Sequence, residues 1–409
     1  MPATLLLHLR ILPNLQPPLY IRKSVGQSTG VGIHGQLMTL TKGVFSMFSF
    51  LRRLWKHITT RTGPHDAIVS ALHPFYILEI GMLIRALNIA AELDIADRLH
   101  KKKMSVEELA SETEVQAEPL YRVLRALAAF GYFREEKNRV FSNTKKSNNF
   151  LRSDTEGSMK DWILCETSDI VCQVFQHSLD SVKTGQSGAQ IVFGKRMYDV
   201  IYNEPEHEKL RLAFVKGMGR FTEWQSRAVA NSYDFKSVNK VVDIAGGHGF
   251  LISRILQAYP HLTGAMIDLP FSIEQAHQTL ATSGVADRCE LIGGDIFDSS
   301  TLPNDGDLYT IKHVLWDWDD ASALKILQNI RKIIPPHAKL IIVENTLSSD
   351  NDTDGLGKLF DLDLMFLFGG KSRTKEEWIE MTRSAGFSLE RIRPTSIFDV
   401  KLMIFKPVD

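Results

Sequence analysis

The stretch from Val238 to Leu256 constrains this chain more than any other. It opens with an apolar run, broken by Asn239 and Lys240, that passes through Asp243 and ends at Ile244. Ala245, Gly246, Gly247, His248 and Gly249 follow, and then apolar residues at helical spacing from Phe250 to Leu256. Strand, glycine turn and helix in that order let a ligand approach the backbone, because glycine has no Cβ to hold it off. Taken alone, such a turn serves equally well to pack a helix on a sheet. The residues downstream decide between the two.

From residue 238 onward strand patterns alternate with amphipathic helices. Strands are expected at 238–243, 263–267, 290–292, 308–311 and 339–343, with a helix over 323–334. Thr374 and Glu377 form a capping box for a further helix, closed by Gly386. A terminal antiparallel pair is expected at 387–393 and 400–405. This order predicts an α/β, Rossmann-like, doubly wound sheet. Ligands of such sheets sit at the carboxyl ends of the strands. Collected there are Asp243 with Gly246, Gly247 and Gly249; Asp268 with Leu269; Asp295 with Ile296; and Lys312 with Trp318. The spacing of Asp268 from the turn suits an acid on ribose hydroxyls. A nicotinamide-dinucleotide fold would share those first two features, but would not account for Asp295 or the Asp317–Trp318 pair.

A chain of 409 residues has room for a second domain. Residues 67–100 read as helical, with Ile77, Ile80, Leu83, Ile84, Leu87, Ala91 and Ile95 at intervals of three and four. Ser105 and Glu108 form a capping box, a second helix spans 118–130 and stops at Gly131, and 132–134 with 139–141 reads as a hairpin. Helix, turn, helix, hairpin is a winged-helix pattern. Its charges are mixed, with Glu107, Glu108, Glu112, Glu114 and Glu118 present, so no basic recognition helix is offered to DNA. The whole chain balances 48 basic against 48 acidic residues, which gives no electrostatic case for nucleic acid. A structural or dimerising role is expected instead. Residues 155–232 are helical and aromatic-rich, including Trp162, Phe175, Phe193, Tyr198, Tyr202 and Phe214, most of them expected in the core. Met218, Phe221 and Trp224 lie at helical spacing and suit either core or substrate wall.

The expected division is therefore a basic extension at 1–65, a helical winged-helix and lid domain at 66–232, and the ligand-binding domain at 233–409. The extension has no Asp or Glu but eight basic residues, Arg10 to Arg61. It reads as a targeting leader, a surface-binding arm, or sequence ahead of a start at Met47; the last is favoured because 1–46 lack sustained periodicity. Three scattered cysteines support neither a disulfide framework nor a metal site, so reduced thiols, a cytoplasmic setting and no metal are expected. No run of 18 apolar residues occurs, and no membrane span is expected.

The motifs together resemble the class I S-adenosylmethionine-dependent methyltransferases. More narrowly, they resemble the plant and bacterial small-molecule O-methyltransferases of the caffeate, flavonoid and hydroxyindole type. The matching segments are 243–249, 267–270, 294–297, 308–320 and 369–374, with 87–97 and 120–127 in the amino-terminal part. Resemblance runs from about residue 70 to the end. It implies S-adenosylmethionine as cofactor, a small-molecule substrate and a homodimer that interleaves the amino-terminal helices. It also implies that Asp268 holds the ribose and that Asp295 meets the adenine amino group, with Ile296 beside the ring. Lys312 would meet the methionine carboxylate, Trp318 would lie near the adenine, and the glycine turn would take the methionine end. The family has a third glycine where this chain has Ala245, and the added methyl is expected to tighten the turn.

The resemblance breaks at the methyl-acceptor end. A phenol with a pKa near 10 needs a base at neutral pH, and the family places a histidine directly before the Asp-Trp pair. Here that position is Trp316. Of the two acids that support the histidine in the family, Glu344 is present, while the other position is Ser372. The catalytic candidates are therefore Trp316, as a flat wall for an aromatic substrate, Glu344, and Asp317, expected to orient its loop or cap the next helix. His313 offers a second imidazole three residues upstream, though its place at a strand end is expected to point it away. Three functions fit: an O-methyltransferase acting on an acidic hydroxyl; a family member that binds S-adenosylmethionine but runs a pericyclic, decarboxylating or hydroxylating step; and a non-catalytic dimeric binding protein. On a plain phenol, Trp316→His is expected to raise turnover.

Overall fold

The computed structural model describes residues 74–349, 354–396 and 400–408. The basic extension and the Met47 reading lie outside the described residues. The amino-terminal part opens with α1 (Pro74–Glu92) and α2 (Ile95–Lys101), followed by β1 (Met104–Ser105), α3 (Val106–Glu112) and α4 (Ala117–Ala129). β2 (Phe133–Glu135) and β3 (Val140–Asn143) then form the expected hairpin, and β1 joins it as a third strand in the order β1-β3-β2. The Ser105/Glu108 capping box forms at the start of α3. Gly131 adopts φ 76°, which ends α4 at a conformation that costs other residues strain. Leu109, Leu120, Leu124 and Leu127 meet Ile95, Phe133 and Phe141 in one buried cluster.

A helical segment follows: α5 (Lys145–Phe150), α6 (Lys160–Glu166), α7 (Asp169–Gln176), α8 (Ser178–Thr184), α9 (Gly188–Phe193), α10 (Met197–Asn203) and the long α11 (Glu208–Ser232). The remainder alternates: β4 (Lys240–Ile244), α12 (Phe250–Ala258), β5 (Thr263–Asp268), α13 (Pro270–Thr282), β6 (Cys289–Gly293), β7 (Leu308–Lys312), α14 (Asp320–Ile333) and β8 (Lys339–Leu347). α15 (Gly355–Leu367), the short β9 (Arg373–Thr374), α16 (Lys375–Ser384), β10 (Phe387–Pro394) and β11 (Val400–Pro407) complete it.

The main sheet runs β10-β11-β8-β7-β4-β5-β6, with β9 beside β8. β4 to β8 pair in parallel, and β11 is antiparallel to both β8 and β10. Alternate residues bury on opposite faces. Val241, Ile341 and Val343 pack under α12 and α13, while Val242, Ile244, Leu340 and Ile342 pack under α14 and α16. Each such side chain contributes roughly 1.5–3 kcal/mol on burial, so a one-residue slip would cost the sheet both cores. From β4 the chain builds β5 and β6 to one side, then crosses to β7 and β8 on the other. The crevice at this reversal is where a doubly wound sheet takes its ligand. Among the described residues no helix is long and apolar enough to cross a membrane.

Candidate active site

The ends of β4, β5, β6 and β7 open on one cavity of about 590 Å³, closed on the far side by α10 and α11. Of the expected cofactor residues, Asp243, Gly246, Gly247, Asp268, Leu269, Asp295, Ile296, Lys312 and Trp318 all line it. Gly249 does not. It sits at φ 76° as the N-cap of α12, and a Cβ there would lie 2.7 Å from Leu280 Cδ1. Helix packing by itself requires a glycine there. Gly246 is likewise held by the sheet, since a Cβ would meet Met266 Cγ at 2.6 Å. Gly247, at φ 60°, is the turn residue whose Cβ would enter open space. Ala245 has φ 51°. The strain expected from its methyl is therefore a backbone strain, and it explains why glycine suits the position.

The backbone of the turn is tied to the next strand. Gly247 N–H donates to Asp268 Oδ2 at 2.7 Å, and Leu269 N–H donates to Oδ1 at 2.7 Å. Burial raises the Asp268 carboxyl above its usual range, and these two N–H groups pull it back. The Ser272 hydroxyl bonds it as well, and of the carboxylate's four lone-pair sites one is left for a hydroxyl donor. Asp295 accepts from Phe297 N–H through Oδ1 at 2.9 Å and is exposed at the cavity edge. Trp318 stands edge-on to Phe297 with ring centroids 4.6 Å apart, and the Arg196 guanidinium lies 3.7 Å over its ring. Arg196 was not legible as a site residue, because nothing in its local pattern marks it.

Lys312 is the cation at the end of β7. Burial lowers its pKa to about 8, against the opposing pull of Asp243 and Glu344. Its ammonium has no ion-pair partner among the described residues. Asp243 accepts from Thr310 Oγ1 at 2.6 Å and is itself raised to about 6 by burial. A buried cation without a counter-ion, an adjacent backbone lacking Cβ atoms and two acids with free lone pairs beyond it complement one kind of molecule. It ends in a carboxylate on one side and in a sugar and base on the other. S-adenosylmethionine has that layout, so the residues present fit it.

The acceptor end differs from expectation. Trp316 is buried and absent from the cavity lining; it stacks on His313 with centroids 4.1 Å apart and touches Phe360 at 5.1 Å. His313 lines the cavity instead of pointing away. The reason is local backbone: His313 has φ 54°, which turns the chain as it leaves β7. Its Nδ1 lies 3.2 Å from Glu344 Oε2, while Glu344 Oε1 accepts N–H bonds from Val314 and Leu315, both at 3.1 Å. Burial holds the His313 ring well below its ordinary pKa, and Lys312 adds to this. Burial pushes Glu344 upward, opposed by backbone N–H groups.

Asp317 is not a helix cap. Asp319 caps α14, accepting from Ser322 N–H, while Asp317 Oδ2 accepts from Tyr198 O–H at 2.9 Å and is raised to about 7 by burial. Ser372 is buried and donates its N–H to Asp361. Next to it Arg373 is fully buried, and its guanidinium binds Asp320 and the carbonyls of Leu315, Trp318 and Lys371. Gly370 packs so closely that a Cβ would collide with the Trp316 carbonyl oxygen. The segment 369–374 thus acts as a clamp on 315–318.

The far wall is aromatic. Tyr198, Tyr202 and Phe214 pack on one another, and Tyr202 meets Phe271 at 4.5 Å. Met218 lines the cavity, as one of its two readings had it. Phe221 and Trp224 fit neither reading: they do not line it and are 39% and 44% exposed.

The O-methyltransferase domain model matches residues 175–388, and the O-methyltransferase dimerisation domain model matches 77–153. Phenazine O-methyltransferase PhzM of Lysobacter antibioticus is 35% identical over 76% of this chain and 89% of its own. Aclacinomycin 10-hydroxylase RdmB of Streptomyces purpurascens is 27% identical over 79% of this chain and 87% of its own. Among solved structures, the mitomycin 7-O-methyltransferase MmcR superposes with TM-score 0.75 at 28% identity, covering 81% of this chain and 96% of that one. The O-methyltransferase NcsB1 of neocarzinostatin biosynthesis, in complex with S-adenosylmethionine and 2-hydroxy-5-methyl naphthoic acid, gives 0.68 at 27%, covering 80% and 96%. With a family match over half of its length and a relative above thirty per cent identity across three quarters of it, this chain belongs to the S-adenosylmethionine-dependent O-methyltransferase family.

Proposed function

We propose that the chain methylates a hydroxyl on a flat, largely apolar aromatic small molecule of the natural-product kind, in a cytoplasmic setting and as a homodimer. The observation that carries this is the Lys312 ammonium, which has no ion pair among the described residues and lines the same cavity as the glycine turn, opposite an aromatic wall. Bound S-adenosylmethionine supplies an electrophilic methyl on a sulfonium. Lys312 pairs with the carboxylate of its methionine end, and the turn at Gly246 and Gly247, with Asp243 beside it, leaves room for that end. Asp268 accepts from a ribose hydroxyl and Asp295 from the adenine amino group, with Leu269, Ile296 and Trp318 against the base. Tyr198, Tyr202, Phe214 and Phe271 hold the acceptor ring by stacking and exclude water. In-line displacement is mainly a matter of alignment, so these walls supply most of the catalysis through orientation. The relatives named for phenazine and naphthoic substrates support a planar polycyclic acceptor. The matched dimerisation domain and the exposed Leu78 and Met82 of α1 support a second copy as the partner. Three free cysteines suit a reducing compartment.

Calorimetric titration with S-adenosylmethionine and S-adenosylhomocysteine tests the first half; binding of neither would end this reading. Incubation with a methyl-labelled donor and hydroxylated phenazines and naphthoates tests the second. A specific observation favours a second reading: the family histidine position is Trp316, and one relative is a hydroxylase. A substrate that changes mass or structure without taking label would move the assignment to it.

A further inference from the structure

We propose that the base missing from position 316 has been relocated, and that His313, supported by Glu344, takes the proton of the acceptor hydroxyl. This rests on the methyl-transfer reading above. Three geometric observations carry it. His313 Nδ1 lies 3.2 Å from Glu344 Oε2, and Glu344 is itself anchored by the N–H groups of Val314 and Leu315. Those N–H groups both donate to Oε1, which leaves Oε2 as the atom opposite Nδ1. The Nδ1–H tautomer then satisfies the pair and leaves the lone pair on Nε2. That Nε2 is itself buried and has no hydrogen-bond partner among the described residues, in a residue that belongs to the cavity wall. An imidazole with one nitrogen fixed by a carboxylate and the other unused is the arrangement of a general base.

The surroundings agree. Trp316 stacks on one face of the His313 ring at 4.1 Å, which fixes its plane and keeps water from that side. Its indole thus acts as a positioning group. The φ of 54° at His313 is a strained conformation for a residue with a Cβ, and such strain gathers where a side chain must be aimed. The charged groups acting on the pair are Lys312 from β7, Asp317 from the following turn and Arg373 from β9. Burial keeps the ring neutral, as a base must be before reaction. In the reaction the acceptor O–H bond breaks and its proton goes to Nε2. The oxygen electron pair forms the bond to the methyl carbon, and the carbon–sulfur pair leaves on sulfur. The imidazolium formed faces Glu344.

Two measurements on the full chain test this. Ring-nitrogen NMR of the histidines, with and without S-adenosylhomocysteine at pH 8, should show His313 as the Nδ1–H tautomer with a bare Nε2. In Glu344→Gln the amide accepts the two backbone N–H bonds and donates to Nδ1, so the tautomer should invert while the protein stays folded. A wild-type ring carrying its proton on Nε2 at pH 8 overturns the proposal, whether or not any acceptor is known. The second measurement uses substituted 2-naphthols with hydroxyl pKa from about 6 to about 10. His313→Gln should lower kcat at pH 7 by about 10²–10⁴ for the least acidic member, and less than about threefold for the ionised one. The loss should shrink as pH rises. An equal loss across the series, or none, overturns the assignment. Failure of wild type to bind S-adenosylhomocysteine would instead strike the cofactor reading, and the tautomer would still judge His313.

Discussion

The two ends of the cavity are built by different means. At the cofactor end Asp243, Asp268 and Lys312 sit directly on β4, β5 and β7, where strand register places them, and Asp295 follows two residues after the end of β6. At the acceptor end the groups lie on an irregular segment, 313–318, which has no ladder of its own. It is held by Arg373 from β9 and by Glu344 from β8. The first end tolerates change of individual residues without losing its frame. The second depends on a few buried polar contacts, and rearranging one of them re-aims the rest.

Arg373→Met should break the asymmetry most visibly. It leaves the Leu315 and Trp318 carbonyls without their donor inside the protein, at a cost of about 3–5 kcal/mol. The melting midpoint should fall by roughly 10 °C. Affinity for S-adenosylhomocysteine in the folded fraction should stay within about tenfold of wild type, while methyl transfer is lost. If affinity and transfer fell together in folded protein, the two ends would be one cooperative unit and the comparison would fail.

Lys312→Met addresses the cofactor end. Removing a charge-assisted contact worth about 2–3 kcal/mol should weaken S-adenosylhomocysteine binding about 30- to 100-fold. A pH signature should accompany it. The pKa of Lys312 is about 8, so near pH 8.5 the free protein holds this group mostly neutral. A bound carboxylate favours the charged form, and binding should therefore take up protons in that range. Calorimetry in buffers of different ionisation heat reads this uptake, and Lys312→Met should abolish it. Uptake that persists in the variant would place the carboxylate elsewhere.

These two ends also differ in how much of them could be read beforehand. The fold was legible nearly whole, because apolar period and turn glycines mark every strand from β4 to β11 except the two-residue β9. The cofactor acids were legible because a strand end is a position that spacing can define. Gly249 does not line the cavity, and sequence could not show this, since a glycine needed beside Leu280 and one needed by a ligand look alike there. The acceptor end was not legible. Trp316 stood where the family keeps its histidine, and only the fold shows that it turns inward while His313, at positive φ, takes the cavity wall. Arg373 and Tyr198 were missed because their partners lie far away in sequence.

Trp316→His sharpens the comparison by reversing an expectation. From residue types alone it should restore a base and raise turnover on a plain phenol. In the folded site the new imidazole would compete with His313 for Glu344 and remove the stacking partner of the ring. Turnover should change by less than about threefold in either direction, with a small loss of stability from the lost aromatic contact, about 0.5–1.5 kcal/mol. A gain of a hundredfold would show that the wild-type site has no base, and would remove His313 from that role.

Ala245→Gly should have the smallest effect, and it acts on the otherwise rigid cofactor end. Ala245 holds φ 51°, a conformation that costs an L residue with a Cβ about 1–2 kcal/mol. Glycine releases that strain but adds freedom to the unfolded chain, worth about 0.4–1 kcal/mol in the opposite sense. The net change should be a stabilisation of at most about 1 kcal/mol, read as a rise of a few degrees in melting midpoint. Affinity for S-adenosylhomocysteine should be unchanged, because Gly247 N–H remains bound to Asp268 and keeps the turn in place. If affinity fell instead, the methyl of Ala245 would be a ligand contact, and strain in the turn would be part of how this site recognises its cofactor.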